Sequence, residues 1–371
     1  MMDARSGLLA LIFAACGVAH AQELTPTAVT VRGDDVFTIK KPAKPAGDLS
    51  GIACRAPAST SDFNCFVIDD EVPIIQRARL DGAGIYPGAD VILPSLRADF
   101  GQPPRGAEQP NPTLACVTKD EVGEFDREAI AYADGFFYVV GSHGCGRKNN
   151  TFDHFGFVVT RFRVDASGAP VDVQYSYRLS EVLRAAPVAG EYFGQALVGQ
   201  RGLNIEGALV AGDVLHVGLR APSIDGDALV IGSRIDQLFS AGALDAPMLR
   251  RIAIDEVKST ASGVVAYHEI GVRDLALLAN GDWLVLGGPT EEQQDVRFSL
   301  YRVNAANEVS LLGRLPDISF SDGSKTERAK AEALLVLSED ANAIEALIMY
   351  DGPHDGAPRR VYIPVSPSAA H

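Results

Sequence analysis

Four acidic residues recur at long, similar intervals in a chain of 371 residues: Glu128, Glu206, Asp274 and Glu332. Each opens a short apolar segment, reading REAIA at 127–131, IEGAL at 205–209, RDLAL at 273–277 and AEALL at 331–335. DLSGIA at 48–53 is a fifth copy, with Ser50 in the acidic place. The aligned positions lie 78, 78, 68 and 58 residues apart. Acids make up 48 of the 371 residues, so chance seldom fills four of five equivalent sites with carboxylates. Gathered together, Glu128, Glu206, Asp274 and Glu332 offer oxygen ligands to a hard cation such as calcium. Arg273 and Lys330 stand beside two of these acids in sequence, and His143 and Arg220 fall across the next turn. Those donors, with the four acids, form a candidate site for a small polar or anionic ligand. The same residues fit a second role, in which each acid locks to a basic group of the neighbouring unit. No catalytic residue can be assigned: there is no P-loop, HExxH, GxSxG or strand-linked GxGxxG.

Self-similarity at a fixed spacing is the mark of a repeat architecture. After each motif comes a turn, such as Asp134-Gly135, 211–213 or 280–282, and then a second apolar run. Gly, Asn and Asp at these points are hairpin residues because they tolerate positive φ. The second runs are 65–71, 136–144, 215–222, 283–289 and 347–353, rich in branched and aromatic residues. Further strands follow in most units, among them 74–80 and 91–96, 157–164 and 171–179, and 228–235 and 249–254. The last unit offers only 360–364, and the alternating segment 27–39 supplies its missing strand. Four strands per unit, with the N-terminus closing the last, make an all-β propeller. Five motifs favour five blades, although 97–125 and 181–203 are long enough to conceal part of a sixth; both read as loops, the second with a helical turn. In an antiparallel hairpin the start of one strand lies beside the end of the next. With these two strands as the inner pair of each blade, the five motifs are expected to meet on one rim of the central channel, a natural place for a pocket.

Residues 1–21 read as a secretory signal, with Arg5 before an apolar run from Gly7 to Val18 and Ala19-His20-Ala21 as the cleavage site. Residues 22–371 are then one domain, and no other segment is apolar enough to span a membrane. A periplasmic or secreted, monomeric protein is expected. Its formal charge of −15 opposes contact with nucleic acid or anionic lipid. Loss of the signal removes Cys16 and leaves Cys54, Cys65, Cys116 and Cys145, an even number in an exported chain. Placing Ser50 opposite Asp69 puts Cys54 opposite Cys65 as cross-strand neighbours, and Cys116 is left for Cys145.

The repeated openers, together with GLNIEGA at 202–208, VGLRAP at 217–222, RDLA at 273–276, KAEAL at 330–334 and DGP…RR at 351–360, resemble a bacterial propeller family with no assigned function. More distantly, DLSGIA followed by a strand ending in Asp69-Asp70 is similar to the secreted phytase-like esterases, which implies phosphoester hydrolysis with calcium. Ser50 in the place of an acid, and Ala208 in that of a larger aliphatic, depart from the usual opener. A scaffold whose rim binds a protein partner is the third function that fits.

Overall fold

The computed structural model describes residues 22–365, apart from 34–36, 38–45, 57–58, 60–61, 72–73, 94–99, 105–115, 119–125, 148–149, 255–256, 260–264 and 268. The signal segment therefore lies outside the described residues, as does most of 97–125. Five antiparallel sheets of four strands form a five-bladed β-propeller. Blade 1 holds Leu49–Cys54, Cys65–Asp69, Ile74–Asp81 and Gly84–Ile92. Blade 2 holds Arg127–Ala133, Phe136–Gly141, Val159–Val164 and Pro170–Ser176. Blade 3 runs from Asn204–Ala211 through Val214–Ala221 and Asp227–Arg234 to Met248–Ala253. Blade 4 is Ile270–Leu277, Trp283–Pro289, Ser299–Val303 and Val309–Arg314. Blade 5 is Lys330–Glu339, Ala343–Asp351 and Arg359–Pro364, completed by Thr27–Ala28.

In every blade the motif strand is innermost, and the five inner strands pack around a closed circle. The hairpins between first and second strands turn where expected: Asp134 and Gly135 have φ of 50° and 83°, and Gly281 has 86°. The fourth strand of blade 1 departs from expectation, starting at Gly84 after a turn at Gly82 rather than at Val91. The stretch after blade 2 contains a two-turn helix, Arg178–Ala185, which begins inside the expected strand 171–179 and extends the helical turn expected in 181–203. Its buried Leu179, Val182 and Leu183 pack into the core between blades 2 and 3, so burial of one apolar face decides the conformation.

The core lies between the blades. Phe66 of blade 1 meets Phe137 and Phe162 of blade 2 edge-on, with ring centres 4.8 and 5.4 Å apart. Both expected disulfides are present, Cys54–Cys65 between directly paired residues and Cys116–Cys145 across 29 residues.

The N-terminal segment reaches beyond blade 5. Leu24 donates its N–H to Arg314 O of blade 4 at 2.8 Å, and Thr27 and Ala28 pair with Arg360 and Arg359 of blade 5. Arg32 then donates to Ile85 O of blade 1 at 2.9 Å. Residues 22–32 thus form a belt over three outer strands, spanning the joint where the ring closes.

Blades 3 and 4 approach closely at Gly271, where a Cβ would lie 1.8 Å from the backbone oxygen of Arg220. Gly271→Ala is expected to destabilise the protein by roughly 3 kcal/mol, the upper part of the usual overpacking cost. Gly82→Ala, at a turn with open space around it, serves as a near-neutral control in urea denaturation.

Candidate functional site at the channel mouth

Each inner strand carries a β-bulge at the same place. The ladder to the second strand skips Ser50 in blade 1, Glu128 in blade 2, Glu206 in blade 3, Arg273 in blade 4 and Glu332 in blade 5. A bulge leaves one residue unpaired and re-aims its side chain. Here it sets five buried side chains at equivalent positions around the inner ring. Two expectations need correction. Ser50 does not face Asp69: Leu49 does, while Cys54 still pairs with Cys65. Asp274 pairs with Leu286 one step past the bulge, so the equivalent of Glu206 in blade 4 is Arg273. The ring holds three glutamates, one arginine and one serine, not four carboxylates.

The substituted arginine binds its neighbours. Arg273 Nη2 lies 2.8 Å from Glu206 Oε2 and also donates to Glu332 Oε1, joining blades 3, 4 and 5. Arg220, a bulge residue of the second strand of blade 3, holds the other oxygen of Glu206 at 2.6 Å and donates through Nε to Thr290 O at 2.9 Å. All four side chains are buried. Burial lowers the proton affinity of Arg220, but Glu206, Glu332 and Glu128 together outweigh it and leave the guanidinium above its usual range. Burial, then Asp351, push Glu332 up to about 8, against the pull of Arg273. Asp274 sits behind the network. Its carboxylate accepts the backbone N–H of Leu275 in its own blade and of Leu334 in blade 5, both at 2.7 Å. Burial raises it well above the usual carboxylate range, opposed by those donors.

The opposite side of the mouth is acidic. Asp48, Asp70 and Glu71 of blade 1 and Asp351 of blade 5 line a cavity of about 570 Å3, with Lys330 and Arg147. Lys330 Nζ is 2.6 Å from Asp351 Oδ2. Burial raises Asp48 to about 6, with Asp351 and Glu71 adding, and raises Asp69 to about 7. Glu128 is 8% exposed and makes no hydrogen bond or ion pair among the described residues. Burial, with Glu206, Asp126 and Asp70 around it, holds its carboxyl well above the ordinary range. His143 is fully buried at φ 51°, with Nδ1 2.9 Å from Gly141 O, and burial lowers it to about 4. Its Nε2 is buried without a hydrogen-bond partner among the described residues.

The structure therefore brings Glu206, Arg220, Arg273 and Glu332 into one network, backs it with Asp274, and leaves Glu128 and Lys330 on the acidic side. No three ligating His, Cys, Asp or Glu side chains converge to hold a metal among the described residues. Sequence reasoning missed Arg147 and Asp126. Arg147 follows Cys145 by two residues, and the Cys116–Cys145 bridge fixes the loop that carries it to the mouth. Asp126 accepts from Ser142 and directly precedes a motif strand.

Removing one member of the buried network strands the others. Arg273→Leu is expected to cost about 3–5 kcal/mol, far more than Lys330→Ala at a side chain 31% exposed, as measured by urea unfolding. The raised carboxyls set a pH trend. A folded state that binds protons more tightly than the unfolded chain is favoured below about pH 4 and loses that advantage as pH rises. For Asp48 and Asp69 the loss runs through about 6 and 7. The urea midpoint should fall between about pH 5 and pH 7.5, and Asp69→Asn should flatten the fall.

Comparison with known proteins places these features in context. No curated protein matches the chain. Among solved structures, a Bacteroides fragilis protein assigned as a 6-phosphogluconolactonase is 10% identical over 85% of each chain, with a TM-score of 0.32. A Bacteroides uniformis protein with the same assignment is 10% identical over 85% of this chain and 87% of that one, at 0.32. The extracellular domain of a hybrid two-component system from B. thetaiotaomicron is 10% identical, over 91% of this chain and 39% of that one, at 0.31. A family model matches residues 56–156 and 168–361, so both the repeated strand openers of blades 2 to 5 and the arginine between Glu206 and Glu332 fall inside it. The chain belongs to that family, described as protein of unknown function DUF3616.

Proposed function

We propose that this protein is an exported, monomeric binding module that takes a small polar ligand into the cleft at the channel mouth. The observation that carries the reading is the convergence of Asp48, Asp70, Glu71, Lys330, Asp351 and Arg147, from blades 1, 2 and 5, on one cavity of about 570 Å3. That is the volume range of small-molecule sites, with polar groups placed to fix orientation. Export is supported by the two disulfides and by the 1–21 segment. Arg220 and Arg273 are paired with Glu206 and Glu332, and the arginines and lysine that line the cavity, Arg147, Arg328 and Lys330, each lie beside carboxylates, which disfavours an anionic ligand.

A second reading is a calcium-assisted phosphoester hydrolase. It is favoured by the crowding of Asp48, Asp70 and Glu71, whose mutual repulsion a divalent ion would relieve. The two readings separate by thermal melting of the mature protein with a panel of sugars, amino acids, amines, organic phosphates and calcium. At least one small polar class should raise the melting temperature by several degrees. Asp48→Asn with Asp351→Asn should abolish that shift while the protein still melts cooperatively. Millimolar calcium without a shift, and no turnover of chromogenic phosphoesters, remove the hydrolase; no shift with any member removes the cleft itself.

A further inference from the structure

We infer that the cleft and a second cavity beside it are two subsites of one groove, and that the groove takes an uncharged chain of sugar units. The inference rests on the cleft reading above and gives it a ligand class and a second subsite. The second cavity, of about 380 Å3, lies between the segment 289–298 of blade 4 and the hairpin Ser319–Asp322 with Lys325–Arg328. Glu327, Arg328 and Lys330 line both cavities, so the two adjoin along this strand. They adjoin again where Arg147 of the cleft comes within 3.9 Å of Glu292 of the second cavity. The walls are braced before any ligand arrives. Gln293 accepts the N–H of Glu291 at 2.8 Å and donates to Thr290 Oγ1 at 2.9 Å. Arg328 donates to Val296 O at 2.8 Å, which ties the hairpin to the segment opposite.

The chemistry of the walls narrows the ligand. Cations along the groove are already paired: Lys330 with Asp351 at 2.6 Å, Arg328 with Asp317 at 2.8 Å, and Arg273 with Glu206 and Glu332. Buried polar atoms on both sides nonetheless lack a hydrogen bond among the described residues. Asp70 Oδ1, from a residue lining the cleft, is an acceptor; Arg273 Nε and Arg328 Nε, from residues lining the second cavity, are donors. An ammonium serves only the acceptor, and a phosphate or carboxylate only the donors. A hydroxyl both donates and accepts, so a ligand carrying hydroxyls at intervals suits both sides. Gln294, Thr326 and the carboxylates of Glu291 and Glu292 add hydrogen-bonding groups along the second cavity. A chain seated in one subsite brings its next units to the other at high effective concentration, so affinity climbs with length.

The probes are gluco-, manno-, galacto- and xylo-oligosaccharides of two to four units, titrated calorimetrically into the full mature chain. In at least one series the tetrasaccharide should bind about tenfold more tightly than the disaccharide, or better. Thr326→Met, which fills the second cavity from an exposed position, should erase that gain and leave the affinity for the disaccharide unchanged. Gln294→Met, also exposed and on the opposite wall, should do the same independently, and the melting curves of both variants check the fold. No gain with length in any of the four series overturns the proposal, as does a gain that survives either substitution in a folded variant. If another small polar compound binds the cleft while no series shows the gain, the cleft stands and the groove falls. If nothing binds, both fall.

Discussion

One buried guanidinium organises this ring. Arg273 stands between Glu206 and Glu332 and ties three consecutive blades together at their inner strands. A buried ion pair gains little over well-packed apolar groups, because desolvation consumes most of the attraction. Its value lies in geometry. A propeller could accommodate small changes in the angle between blades, but one guanidinium nitrogen, Arg273 Nη2, shared by two buried carboxylates admits few arrangements. Arg220 adds a second fork and a bond to Thr290 O, so the seam of blades 3 and 4 is fixed by charge as well as by Gly271.

Locking one half of the mouth leaves the other half unbalanced. Blades 1 and 2 contribute Asp48, Asp69, Asp70, Asp126 and Glu128, held above the usual carboxylate range chiefly by burial. Perturbed groups facing an open cleft are the usual signature of a working surface. Of the two roles weighed for the repeated acids, the structural lock is visible at Glu206 and Glu332. Glu206, Glu332 and Asp274 hold the ring, and Glu128 sits buried at the equivalent bulge without such a partner among the described residues.

The architecture was legible because a repeated motif and its hairpin turns are local signals. Blade number, the role of the inner strand, the closing strand at Thr27 and the Cys54–Cys65 pair all follow from spacing. The site was harder to read, for a specific reason. Side chains alternate along a strand with period two, so a one-residue error changes the face. RDLAL aligns with IEGAL on the acid, Asp274 on Glu206. The bulge instead takes Arg273, and a carboxylate ring becomes an ion-pair network. No pattern within either segment distinguishes these alignments; only the ladder partners Gly287 and Leu286 do. Arg147 was hidden because its position depends on a disulfide and not on a strand.

The belt formed by residues 22–32 sets the order in which the molecule can be completed. The residues that clasp blades 4, 5 and 1 are synthesised before any of those blades, yet their partners Arg314, Arg359 and Arg360 come near the end of the chain. Such pairings have the largest sequence separation the fold contains, and closing them is slow. Until the last strand is made, blades 1 and 5 present bare flanks and the early segment has nothing to hold. The clasp is therefore a fastening made once, at the finish, and a chain missing its last strand would have a belt with no buckle.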